Sequence, residues 1–322
     1  MLRRLIPDPL IVALLAVVGL AALFPAGGAA GEVVHYLVTV AIVLLFFLHG
    51  AKLSREAVLA GIAHYRLHLG VLLTTYLMFP LLILTLKWLF PDLLSPQLWT
   101  GMLFMAALPS TVQSSIAFTS IARGNVPGAV ASASASQIAG VFLTPLLVAL
   151  LIRAGGDGAG ASPASGIGQI LLLVLLPFIL GHLARPWLLG LLTQHKSLVS
   201  IVDRGAILLA VYSAFSDAML NGIWSRLPVR DLLTLVAVSM VILVFALLFT
   251  HGLGRVMGFG RADRITLLFC GTKKSLLQGV PMGRVLFPGP DLGLILLPIM
   301  IFHQLQLMAC AAIASRLAKT ES

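Results

Sequence analysis

The stretch Leu235–Phe249, LVAVSMVILVFALLF, contains no charged residue, no proline and no glycine. Leu171–Leu180, LLLVLLPFIL, is equally apolar apart from one proline, and runs of this kind recur along the whole 322-residue chain. About a quarter of the residues in a soluble domain are charged; here the charged fraction is 10% and the hydrophobic fraction 59%. Surface area does not shrink fast enough with size for a soluble fold to hide so much apolar side chain, so lipid must cover part of it. In lipid every backbone polar group must pair within the protein, which leaves helices or closed barrels. Barrel strands alternate apolar and polar residues, whereas these runs are continuous and specify helices. The chain reads as an all-α membrane protein that works inside the bilayer.

A span needs roughly 20 apolar residues. Stretches that meet this, bounded by charge, Gly and Pro, fall at about 9–25, 33–51, 68–90, 98–123, 125–152, 166–190, 199–222, 229–257, 262–288 and 291–316. Arg3 and Arg4 before the Leu10–Phe24 run have the look of a signal peptide, but the topology needs this stretch as an uncleaved first span. With the N-terminus inside, fourteen of the 21 Lys and Arg residues lie on the inner side. Five lie outside (Lys87, Arg153, Arg226, Arg230 and Arg284), and Lys273 and Lys274 fall within a span. This bias places both termini in the cytoplasm and the protein in the cell inner (plasma) membrane. The net charge of +10 then belongs to loops facing anionic lipid, with no nucleic acid implied. Cys270 and Cys310 lie in apolar runs and give no disulfide framework.

The segment Ala154–Gly168, AGGDGAGASPASGIG, reads as a linker. It separates five spans from five, giving a first repeat over residues 1–158 and a second over 159–322. An odd number of spans per half inverts the second half, which is the plan of many secondary transporters. The fourth span of each half carries a polar, helix-breaking interruption: Leu108-Pro109-Ser110-Thr111-Val112-Gln113-Ser114-Ser115, and Gly271-Thr272-Lys273-Lys274-Ser275 continuing to Gln278, Gly279 and Pro281. Matched breaks of this kind point to a transporter's binding site.

Pro109 removes a helix hydrogen bond and frees a carbonyl, and Ser114 and Ser115 add oxygens within two turns. A broken helix offers carbonyls to a cation from one half and N–H groups to an anion from the other. The breaks are read at Pro109, Gly271, Gly279 and Pro281. In the next span Ser132 and Ser136 share a face at i, i+4, with Gln137 beside them; close helix packing would also explain the small residues. Lys273 and Lys274 stand out most, because mid-membrane charge is costly and usually functional. Either lysine can bind an anionic substrate or serve as a fixed or titratable cation in place of a metal ion. Thr272, Ser275 and Gln278 accompany them as candidate ion or substrate ligands. His303, Gln304 and Gln306 could line the same cavity or satisfy one another. Asp217 sits near the outer end of its span, Asp203-Arg204 reads as an interfacial ion pair, and His182 and Arg185 before Pro186 read as a helix end. No phosphate loop, nucleophile elbow or dinucleotide fingerprint is present, so no enzyme is expected.

FFLHGAKLSREAV, ALPSTVQSSIAFTSIARGN, FLTPLL and GTKKSLLQGVPMG resemble the bile acid:sodium symporter superfamily, in particular its bacterial SBF-like branch, which is related to the seventh member of solute carrier family 10. The resemblance covers nearly the whole chain. It implies ten transmembrane helices in two inverted five-helix repeats. It also implies a panel domain (spans 1, 2, 6 and 7) and a core domain (spans 3–5 and 8–10) in which broken helices 4 and 9 cross. In sodium-coupled members oxygens near the crossing bind two sodium ions, and the Pro-x-x-x-x-Ser stretch there matches Pro109 to Ser114 and Ser115. The ninth-helix motif of those members carries a glutamate and then a Gln-Asn pair, where this chain has Gly271-Thr272-Lys273-Lys274. Hard cations want oxygen ligands, so two cations in place of a carboxylate argue against copied sodium chemistry.

The expected function is a secondary active transporter of a small organic anion, coupled to sodium or protons and working by alternating access. The alternative is a non-transporting membrane regulator of ion (calcium) homeostasis on the same fold. A sodium ion is the one cofactor considered, its ligands open; the partners are the organic anion and the lipid bilayer.

Overall fold

The computed structural model describes residues 9–52, 64–155, 171–222 and 227–319. The basic N-terminal stretch and most of the expected linker lie outside them. Every regular element among the described residues is helical. In chain order these are α1 (Pro9–Leu23), α2 (Gly28–Lys52), α3 (Tyr65–Leu89), α4 (Pro96–Ala107), α5 (Gln113–Ile121) and α6 (Val126–Ala154). Next come α7 (Leu176–Gln194), which continues a π-helical turn at Leu171–Leu175, α8 (Lys196–Leu220) and α9 (Val229–Val256). The chain ends with α10 (Arg261–Gly271), α11 (Leu276–Leu286) and α12 (Leu292–Lys319). Seven helices among the described residues are long and apolar enough to cross a membrane. The fourth and ninth expected spans are each divided into two short helices, α4 with α5 and α10 with α11.

The chain forms two compact units. The first draws on residues 1–53, 164–228 and 280–294. Within it α2 and α7 pack closely through glycines on both sides. A Cβ on Gly50 would overlap the Phe178 carbonyl, and one on Gly181 would overlap the Phe47 carbonyl. Helix α8 buries a stripe of small residues, Ala206, Ala210, Ala214 and Ala218, which lets neighbouring backbones approach. Two charge clusters lie in this unit. Lys52 Nζ is 2.6 Å from Asp203, while Asp217 is 3.1 Å from both His35 and Arg284. Asp203 therefore does not pair with Arg204 as expected, because consecutive helical residues point away from each other. Likewise α7 does not end before Pro186 but runs through it, as membrane helices can when neighbours satisfy the freed groups.

The second unit draws on residues 54–163, 229–279 and 295–322. Its centre is α4, whose residues from Leu98 to Ala107 are nearly all buried, the pattern of a helix enclosed on every side. Helix α9 shows the outer pattern, with Leu233, Val241, Val244 and Leu248 exposed along one face. An apolar face of that kind in a chain of long apolar helices is covered by lipid. The corner between α5 and α6 is tied to the start of α10. Asn125 caps α6 by accepting from Gly128 N at 2.8 Å, and its amide donates to Asp263 at 2.7 Å.

Candidate functional site

Two interruptions meet inside the second unit. Helix α4 ends at Ala107, and Leu108 turns to extended backbone with φ −74° and ψ 150°. Pro109 lacks the N–H that would continue the ladder. Helix α10 ends at Gly271, and α11 begins at Leu276. The two gaps are joined main chain to main chain, Ser275 N donating to Pro109 O at 2.8 Å. Ser110 Oγ donates to Cys270 O, and Ser115 Oγ donates to Phe269 O at 3.1 Å. Helix α6 supports the crossing from one side: Gln137 Nε2 donates to Ser110 O (3.1 Å) and to Ser275 Oγ (3.2 Å), and Ser136 Oγ accepts from Ser110 N (3.0 Å). Gly140, one turn on, allows the approach, since a Cβ there would lie 2.8 Å from Pro109 Cβ and from Tyr76 Oη.

The adjacent lysines are both fully buried and have opposite surroundings. Lys274 Nζ donates to three main-chain carbonyls, Thr75 O at 2.7 Å, Ala106 O at 2.7 Å and Leu108 O at 2.9 Å, and lies 4.3 Å from the centre of the Phe79 ring. Its own peptide is clamped by Gln306: Lys274 N donates to Gln306 Oε1 (2.8 Å), and Gln306 Nε2 donates to Lys274 O (2.9 Å). The same Gln306 amide reaches His303 Nδ1 at 2.8 Å. Lys273 Nζ has no hydrogen-bond partner. It rests 3.8 Å above the Phe118 ring and 5.7 Å from that of Phe269. Phe269 is buried, and Phe118 is partly buried against the same apolar cluster.

Of the residues expected at the site, Pro109, Ser115, Ser136, Gln137, Gly271, Lys274, Ser275, Gln278 and His303 come together at or directly against the crossing. Gln278 Nε2 donates to Gln137 O at 3.3 Å, and its Oε1 is buried without a partner. Ser114 is one step removed, bonded to Thr111 Oγ1 at 2.7 Å. Ser132 is drawn away, 2.7 Å from His68 Nδ1, and Thr272 Oγ1 donates back to Leu268 O of its own helix at 2.6 Å. Gly279 and Pro281 are not part of the break. Helix α11 runs through both, because Gly279 N already bonds Ser275 O at 3.0 Å, and Pro281 costs only one further bond. The sequence reading missed Thr75, Phe79 and Phe118. A signal for Thr75 exists in Thr74-Thr75-Tyr76-Leu77-Met78-Phe79-Pro80: Phe79 N bonds Thr74 O across a π-helical turn, and Pro80 has no N–H to offer. The Thr75 carbonyl is left open.

Long apolar helices with paired breaks around buried cations define a membrane transport protein rather than an enzyme. The family model of the SBF-like CPA transporter family matches residues 8–319, and the chain belongs to that family. An uncharacterized protein of Pseudomonas aeruginosa is 51% identical over 316 residues, covering 98% of this chain and 94% of the relative. YfeH of Escherichia coli, whose name includes the word symporter, is 48% identical over 309 residues, covering 96% and 92%. Sodium/bile acid cotransporter 7 of Danio rerio is 30% identical over 315 residues, covering 96% and 93%.

Proposed function

We propose that the chain is a secondary active transporter of a small organic anion, working by alternating access about the crossing of the two breaks. The observation that carries this reading is Lys273, a buried ammonium with no acceptor under a partly buried aromatic ring. Such a charge inside a membrane is expensive and marks a functional site, and a carboxylate or similar anion is the partner that would complete it. Swinging the Phe118 ring aside would uncover the ammonium. Gln278, with an open buried oxygen, and Ser114 would complete the polar lining.

The paired breaks support a plan of ten transmembrane helices in two inverted five-helix repeats, 1–158 and 159–322. The composition of the two compact units supports reading spans 1, 2, 6 and 7 as a panel and spans 3–5 and 8–10 as a core. The distribution of lysine and arginine supports an inner-membrane protein with both termini cytoplasmic.

The names of the vertebrate relatives include sodium, yet this crossing fits sodium poorly. Hard cations take several oxygen ligands, carboxylates prominent among them. Here the best-placed carbonyls already hold Lys274. Among the described residues no group of three His, Cys, Asp or Glu side chains stands together. Of the two expected couplings, this reading favours a proton gradient over sodium.

The test is uptake of labelled organic anions into proteoliposomes, with and without sodium or proton gradients. Uptake of at least one anion, lost in Lys273→Ala, is expected. No uptake of any anion under any gradient, or full uptake by the variant, would overturn the reading.

A further inference from the structure

Three carbonyl oxygens converge on one buried point from two helices. Thr75 O is open because Phe79 N bonds Thr74 O and Pro80 has no N–H. Ala106 O and Leu108 O are open because the chain leaves the helix at Leu108, and Ser110 N, which would close on Ala106 O in a continuous helix, bonds Ser136 Oγ instead. These oxygens also stand at the C-terminal end of α4, where the helix dipole favours positive charge. Unwound carbonyls at a half-helix end are the donors that membrane transporters present to cations. An ammonium, with three N–H donors, satisfies all three at 2.7–2.9 Å.

We infer that the Lys274 ammonium is a tethered cation filling a carbonyl cage, so the crossing is held together without a dissociable metal ion, and removing the amine turns the cage into an alkali-cation site. The inference depends on the transport reading only for what it says about coupling; the cage stands on geometry. Its position explains why adjacent lysines differ. One is consumed in structure, which leaves Lys273 as the cation available to a ligand. The clamp by Gln306 on the Lys274 peptide fixes the tether's root, so the ammonium reaches the cage from a rigid base.

The experiment compares thermal unfolding of purified wild-type protein and Lys274→Ala in sodium, potassium and choline chloride at equal ionic strength, with no organic anion present. Wild type is expected to melt at the same temperature in all three. Lys274→Ala is expected to be weakest in choline and to recover saturably, by about 3 °C or more, as sodium or potassium is added. A saturable alkali-dependent rise in wild type overturns the inference, as does a variant that melts alike in choline and in alkali salts. If Lys274→Ala does not fold, the wild-type comparison decides alone: indifference supports the cage being filled, and a saturable rise overturns it. Absence of anion uptake alongside the expected melting pattern would sink the transport reading while leaving the tethered cation intact.

Discussion

Ser275 donates its amide proton to the carbonyl of Pro109 at 2.8 Å, a main-chain bond between two segments that each gave up helix geometry. Each break satisfies part of what the other left open. The pair is therefore one cooperative element, and changes at it should divide sharply into those that disturb the joint and those that disturb only what the joint displays.

Lys273→Met should fall in the second group. Replacing an unpaired buried charge by an apolar side chain of similar length is commonly neutral or stabilising. The melting temperature is expected to stay level or rise by a few degrees while uptake is lost. A clear fall in melting temperature would show that the ammonium has a structural role.

Lys274→Met should fall in the first. Three buried carbonyls lose their donor together, each worth about 1–3 kcal/mol when left open. A loss on the order of 3 kcal/mol in a 322-residue chain corresponds to a fall of roughly 4–5 °C, measured in choline chloride. The contrast between neighbouring positions is the readout, so general intolerance of substitution in this segment would appear as two equal falls.

Gly140→Ala tests the support from α6. The new methyl would sit 2.8 Å from Pro109 and from the Tyr76 hydroxyl, and Tyr76 donates to Ser136 O at 2.6 Å. Overpacking of this kind costs about 1–3 kcal/mol. A lowered melting temperature is expected, with transport reduced further than the stability loss alone accounts for. Wild-type behaviour would mean that α6 can slide away freely.

In the first unit, Gly50→Ala and Gly181→Ala each place a methyl on a facing carbonyl. Neither helix can yield without separating the pair, and close approach through small residues is what holds membrane helices together. Both variants should lower thermal stability by a similar amount. Because the two contacts are reciprocal, the double variant should cost less than the sum.

The seven long apolar helices among the described residues were legible because lipid permits little except continuous apolar helices, and both breaks were legible because Pro109 and the Lys273-Lys274 pair have no place in such a helix. What escaped was the direction of each side chain. Ser132 and Ser136 share a face by spacing, yet only Ser136 reaches the crossing, while Ser132 meets His68. Gly279 and Pro281 looked like breakers, but helix α11 had already restarted at Leu276. The role of Thr75 could not be read from its side chain, because the group that matters is its carbonyl, opened by a proline five residues later. A main-chain acceptor leaves no trace in the identity of its own residue, and such acceptors make up the whole of the Lys274 cage.

That dependence has an evolutionary corollary. Pro80 and Pro109 expose oxygens that are tolerable in a membrane interior only while something positive sits among them, and Lys274 is expensive anywhere that those oxygens are absent. Among descendants and cousins of this chain, the three positions should mutate as a set. A lineage that gives up the amine should either repair both helices or acquire a dependence on salt.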